Sequence, residues 1–141
     1  MKIAELLLQT LEHNGVTHIF GNPGTTELPL VKACEQRGKR KYVVALSEVS
    51  AGPMADGYAR ISGKVGVCMA TNGPGATKIA TGLSVAQLSH SPLLAMTGAS
   101  MLSQVHRDSF QEIDHVGMFK PITKWTAQVP RANRIPELMR H

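Results

Sequence analysis

Apolar residues recur along this chain at two spacings, and the two alternate. In residues 3–13, Ala4, Leu7, Leu8 and Leu11 share one face at helical spacing, and Asn14-Gly15 supplies the stop. Residues 16–20 form a short apolar run that predicts a strand. A glycine turn, 21–27, leads into a helix ending near residue 37, with Thr25 or Thr26 as N-cap and Glu27 as first-turn charge. Residues 42–46 predict a second strand, and a helix of small residues follows from Glu48 to about Ile61, closed by Ser62-Gly63.

Residues 65–70 are almost continuously apolar, as in a strand buried on both faces. A second glycine turn, 71–77, opens a helix to about Leu88, which Ser89-His90-Ser91-Pro92 breaks before a buried strand at 93–97. Weak helical character marks 108–118, alternation predicts a strand at 122–129, and a helix starts near Asn133. Strands alternating with helices predict an α/β fold, a mostly parallel sheet with helices on both faces, in a single domain over residues 1–141. The last helix has no glycine cap, so truncation at the C-terminus is expected.

Composition narrows the function classes. Hydrophobic residues are 43% and charged ones 18%, an ordinary globular balance, while aromatics at 4% leave an aliphatic, alanine-rich core. No apolar run nears the roughly 18–20 residues that cross a bilayer, and no signal-peptide pattern opens the chain, so a cytoplasmic protein away from membranes is expected. Cys34 and Cys68 belong to no ligand motif, and the six histidines are scattered, which argues against a metal site. The net charge of +5 falls in one cluster (Arg37, Lys39, Arg40, Lys41) and in the stretch after Lys120. Almost no aromatic residues interleave with either group as a stacking surface requires, so nucleic acid is not an expected partner.

The candidate chemistry sits at strand ends. Gly21-Asn22-Pro23-Gly24 and Asn72-Gly73-Pro74-Gly75 each join a strand to a helix, where glycine allows close backbone approach and helix N–H groups attract anions. Neither matches a nucleotide fingerprint, and Gly75-Ala76-Thr77-Lys78 fails the P-loop spacing. Taken singly, the turns are tight connections and Glu48 a charge complementing its helix dipole. Together they put two flexible turns and one carboxylate on one sheet edge, where open α/β sheets bind ligands.

Five motifs in order then resemble one family: Gly-Asn-Pro-Gly-Thr-Thr-Glu-Leu-Pro (21–29), Ser-Glu-x5-Met-Ala-Asp-Gly-Tyr-Ala-Arg (47–60), Asn-Gly-Pro-Gly-Ala-Thr (72–77), Ser-His-Ser-Pro-Leu (89–93) and Phe-Gln-Glu-Ile-Asp (110–114). The chain resembles the N-terminal, pyrimidine-binding domain of thiamine-diphosphate-dependent enzymes, in the acetolactate synthase and benzoylformate decarboxylase group. The resemblance implies that Glu48 hydrogen-bonds the cofactor's aminopyrimidine ring, favouring the imino tautomer that generates the ylid. Desolvation is expected to raise its pKa. It further implies that Pro23, Gly24, Thr71, Asn72 and Pro74 line the cofactor, that Thr25 and Phe110 face the substrate, and that Gln111 serves the reaction centre. Thr71 stands where the decarboxylase branch has a catalytic His, a departure that counts against benzoylformate-type chemistry. Ala51, Gly52, Met54, Ala55 and Tyr58 would pack their helix against a partner domain.

The resemblance also implies what lies elsewhere. In this family a C-terminal domain holds the diphosphate and magnesium through Gly-Asp-Gly, which this chain lacks. The implied whole is a dimeric or tetrameric lyase or transferase acting on a 2-oxo acid, and the chain alone is expected to be inactive. The alternative is a non-catalytic fragment, or a small subunit of a split decarboxylase that needs a separate diphosphate-binding chain.

Overall fold

The computed structural model describes residues 3–38 and 41–140, so Lys39 and Arg40 of the basic cluster and the end of the last helix, His141, lie outside them. The elements are α1 (Ile3–His13), β1 (His18–Asn22), α2 (Leu28–Arg37), β2 (Lys41–Val44), α3 (Glu48–Ser62), β3 (Gly66–Ala70), α4 (Pro74–Leu88), β4 (Leu93–Thr97), α5 (His115–Phe119) and α6 (Ile135–Leu138). The four strands form one parallel sheet in the order β2-β1-β3-β4. β1 and β3 are neighbours, yet the connection after β1 runs outward to β2 and the one after β3 runs the opposite way to β4. The strand order therefore reverses between them.

Alternation along the strands divides the interior into two layers. Ile19, Val67 and Met69 face Leu8 and Leu11 of α1 and Leu30, Ala33 and Cys34 of α2. Phe20, Cys68 and Ala70 face Ala51 and Ala55 of α3 and Ala76, Ile79 and Leu83 of α4. Helices thus cover both faces, and β3, the strand with the continuous apolar run, is buried at every residue. Each aliphatic side chain removed from water here contributes about 1.5–3 kcal/mol. Cys34 and Cys68 are both buried.

The small residues of α3 serve this chain itself. Ala51, Gly52 and Ala55 are buried, and a Cβ on Gly82 of α4 would lie 2.7 Å from the Gly52 Cα and 2.8 Å from the Pro53 Cδ. Tyr58 donates or accepts at the Thr17 hydroxyl, 2.7 Å away, and tilts on Phe20, while Met54 packs on the same core layer. The buried Ala51, Gly52 and Ala55 therefore bring α3 against α4 and the sheet rather than against a partner domain, and Met54 and Tyr58 are partly buried in the same layer.

The helix boundaries 48–62 and 74–88 and the strands at 66–70 and 93–97 agree with the apolar pattern. Elsewhere the structure corrects it. The first strand starts at His18, because Val16 turns inward to the core and its N–H donates to the Leu11 carbonyl at 3.0 Å. α2 is capped by Glu27 with no side-chain cap bond, so neither Thr25 nor Thr26 is its N-cap; Thr26 points its hydroxyl at Glu27 instead. The strand expected at 122–129 is absent: a 3-10 turn covers Lys120–Ile122, and Trp125 and Val129 are exposed. Alternation alone forms no strand without a neighbour to complete its ladder, and among the described residues none pairs there. The helical character at 108–118 is confined to α5, where the Asp114 carboxylate accepts from the Gly117 N–H at 2.8 Å.

The helix contact yields a stability test. Gly82→Ala should cost about 1–3 kcal/mol, because the added methyl meets backbone and proline ring that must shift. Gly57→Ala, on the same helix as Gly52 but with nothing within 4 Å of the new methyl, should instead stabilise by about 0.5–1 kcal/mol. Denaturant unfolding of both variants checks the contrast.

Candidate functional site

The reversal of strand order opens a crevice at the carboxyl ends of β1 and β3, and both glycine turns lie there. Pro23 and Gly24 follow β1; Thr71, Asn72 and Pro74 follow β3, with Pro74 as the first residue of α4. The turns touch. The hydroxyls of Thr26 and Thr71 are 3.1 Å apart, and a Cβ on Gly24 would come within 2.6 Å of the Thr71 Cβ. Gly24 is therefore what lets the two loops close on each other. The Glu27 carboxylate fastens the first loop from below: it is buried, accepts the Gly24 N–H at 2.9 Å and takes a short contact from the Thr26 hydroxyl.

The loop after β3 is held from a third direction. Asn72 is buried and its amide donates to the Ser100 Oγ at 3.1 Å. Gly73 has φ +63°, a left-handed backbone that glycine adopts without cost, and a Cβ there would overlap the Gln111 carbonyl. Gln111 itself sits at φ +61°, an uncommon conformation outside glycine. Its backbone thus meets the Asn72–Gly73 turn directly. Phe110 beside it is 85% exposed and anchors no core, and Thr25 is exposed as well.

Glu48 occupies the first turn of α3, just beyond the end of β2. Only 9% of the residue is exposed. Its Oε2 accepts from the Lys78 Nζ at 3.2 Å, across the α3–α4 contact. Burial alone raises the carboxyl pKa. Its own backbone amide, Lys78 and the Asn22 side chain together outweigh burial and hold it below the usual carboxylate range. The expected upward shift is thereby corrected. Asn22, at the end of β1, lies near enough to Glu48 to add to that lowering.

The structure therefore gathers Pro23, Gly24, Thr71, Asn72, Pro74 and Gln111 at one edge, with Glu48 joined through Lys78 to the helix that Pro74 opens. Lys78 and Asn22 were not picked out from the sequence. Lys78 stood in a failed P-loop pattern, and only the fold shows that its helix faces Glu48. Beside β4 a cleft of about 1030 Å³ opens, reaching Asn72 and Ser100 at one end and Leu94 and Met96 along its floor. Glu48, Pro23 and Gly24 are not among the residues that line it. Among the described residues no three His, Cys, Asp or Glu side chains stand together to hold a metal ion, and no helix is long and apolar enough to cross a membrane.

This geometry matches known proteins closely. The profile of the family "Thiamine pyrophosphate enzyme, N-terminal TPP binding domain" matches residues 1–118. The chain belongs to this family. An acetolactate synthase of Arthrospira platensis is 44% identical over 136 residues, covering 94% of this chain and 24% of that protein. A probable acetolactate synthase large subunit of Methanocaldococcus jannaschii is 42% identical over 140 residues, covering 99% of this chain and 24% of that one. The solved structure of a thiamine diphosphate-dependent 4-hydroxybenzoylformate decarboxylase from Rhodococcus jostii RHA1 superposes with a TM-score of 0.90 at 27% identity, over 99% of this chain and 26% of that one. The chain thus spans about a quarter of the length of these thiamine pyrophosphate enzymes.

One bond at the site carries a pH dependence. The Gly73 N–H donates to the His115 Nε2 at 3.2 Å, which requires a neutral imidazole. Burial holds the His115 pKa below its usual value, against the opposing pull of Asp114. With the folded value below the unfolded one, the unfolded chain takes up the proton first. The stability that His115 contributes is present above about pH 6.5 and is lost as the pH falls through the lower folded value. Thermal melts of the wild type and His115→Asn should therefore converge as the pH is lowered from 8 to 5.

Proposed function

We propose that this domain receives the aminopyrimidine half of thiamine diphosphate in an enzyme that acts on a 2-oxo acid in the manner of acetolactate synthases. The observation that carries the reading is the placement of Glu48: a nearly buried carboxylate on a helix first turn at the carboxyl edge of the sheet, paired with Lys78 of α4 beside the crevice where the strand order reverses. The residues fit a flat heteroaromatic ring. A carboxylate offers a proton-accepting oxygen to a ring nitrogen, and the Gly24 and Gly73 backbones let the loops that carry Thr71, Asn72 and Gln111 close together along the same edge.

In this reading Glu48 holds a proton against a ring nitrogen, and Pro23, Gly24, Thr71, Asn72 and Pro74 bind and orient the ring's edges. Bound there, the cofactor supplies the electron sink for cleaving or forming a bond next to a carbonyl. Gln111 faces the reacting carbonyl, with Thr25 and Phe110 towards the substrate's remainder; the exposure of Phe110 leaves its ring free for that contact. Magnesium and the diphosphate are held by a second domain or chain, and the complete cytoplasmic enzyme is a dimer or tetramer. Identity to acetolactate synthases above 40% supports a carboligase over a decarboxylase.

Glu48→Gln, made in the native polypeptide that carries residues 1–141, tests the reading. Proton exchange at the cofactor's thiazolium carbon should fall by about 10²-fold or more, the scale of a lost general acid–base group. Unchanged exchange refutes the role given to Glu48. The 141 residues alone should show no turnover of 2-oxo acids. A native polypeptide of only this length would favour a subunit that completes its site on a separate chain.

A further inference from the structure

The ion pair between Lys78 and Glu48 has a consequence for how a ligand reaches the carboxylate. Both groups project from the first two turns of adjacent helices, Glu48 from α3 and Lys78 from α4, and Nζ stands 3.2 Å from Oε2. The Glu48 side chain is 11% exposed and that of Lys78 51%, so the carboxylate is fixed while the ammonium has open water to swing into. An uncharged ring nitrogen carries a lone pair and no hydrogen, as does each carboxylate oxygen. The two repel unless a proton lies between them. A lysine ammonium beside the same oxygen opposes that added proton by its charge.

We propose that the Lys78–Glu48 ion pair is a proton-linked brake on cofactor capture: a pyrimidine nitrogen settles against Glu48 only by bringing one solvent proton into the pair and loosening Lys78. The inference rests on the cofactor reading given above, and makes Lys78 a positioning residue that acts through Glu48. The other elements packed on α3 supply no competing charge. β1 sends the uncharged Asn22 amide, and its His18 lies ten residues along α3, tilted against Tyr58. The Cys68 thiol of β3 is pushed up to about 12 by burial and stays neutral, β4 holds no titratable residue, and Lys78 is the one charged residue of α4. The same ion pair, with the hydrogen bonds around it, holds Glu48 ionised in the absence of ligand.

The test is calorimetric titration of the native polypeptide carrying residues 1–141 with thiamine diphosphate and Mg²⁺, from pH 6 to 8.5, in buffers of different ionisation enthalpy. The wild type should take up close to one proton per cofactor at the upper end, and its Kd should rise towards tenfold per pH unit there. Lys78→Met should tighten binding about three- to fivefold at pH 8, the weight of a half-exposed ion pair, and move the rise in Kd to higher pH. Lys78→Arg, which keeps the charge, should behave as wild type. Lys78→Gln serves in place of Met if that variant does not fold. Binding by the wild type with an unaltered Kd profile in both Lys78→Met and Lys78→Gln, or with no proton uptake, overturns the brake and leaves the cofactor reading standing. Absence of any binding by the wild type overturns both.

Discussion

The contact on which the rest depends lies between two helices on one face of the sheet, and the candidate site inherits its geometry from it. Gly52 and Gly82 leave no side chain between α3 and α4, so the helices run nearly backbone to backbone over a layer of alanines. Interiors are packed at near-crystalline density, so such a contact fixes the relative position of the two helices rather than merely favouring it. Their first turns consequently stand side by side at the carboxyl edge of the sheet. A glutamate from one and a lysine from the other then meet with no loop between them. Larger residues at either glycine would separate the helices and the charges together.

The loops are held by a different kind of bond. The turn after β1 is fastened by the buried Glu27 carboxylate, and the turn after β3 by Asn72 on Ser100 and by His115. These are polar contacts taken out of water, where leaving one partner unpaired costs about 1–3 kcal/mol. The apolar layers position the strands, and this polar ring positions what the strands' ends present. The first is tolerant of aliphatic exchange in a way the second is not.

Much of this was legible in the sequence. The alternation of periods gave the α/β class, and β3 was readable because a strand buried on both faces must be apolar throughout. That Glu48, Gly24 and Thr71 follow the ends of strands was legible from the apolar runs that precede them. What failed was whatever depends on a neighbour. The run at 122–129 alternates as a strand does, but a ladder has two sides and the second is not written in the run itself. The small face of α3 announces a close contact but not that its neighbour is α4 rather than a partner domain. The direction of the Glu48 shift is hidden for the same reason, because burial follows from position while Lys78, thirty residues on, reaches the carboxylate only through the fold. Sequence shows the local environment of a carboxylate; the sign of its shift was decided by a group that only the fold brings near.

Those separations also bear on when the site comes into being. Glu48 and Lys78 are 30 positions apart, Gly73 and His115 are 42, and Thr26 and Thr71 are 45. Closing a segment of that size costs chain entropy that grows as about (3/2)RT ln n, and parallel strands repay it only after their crossover helices are in place. No single βαβ unit contains the arrangement. A partly folded chain therefore has its strands and helices before it has a place for a ligand, and occupancy of the strand-end crevice reports that the whole sheet has closed.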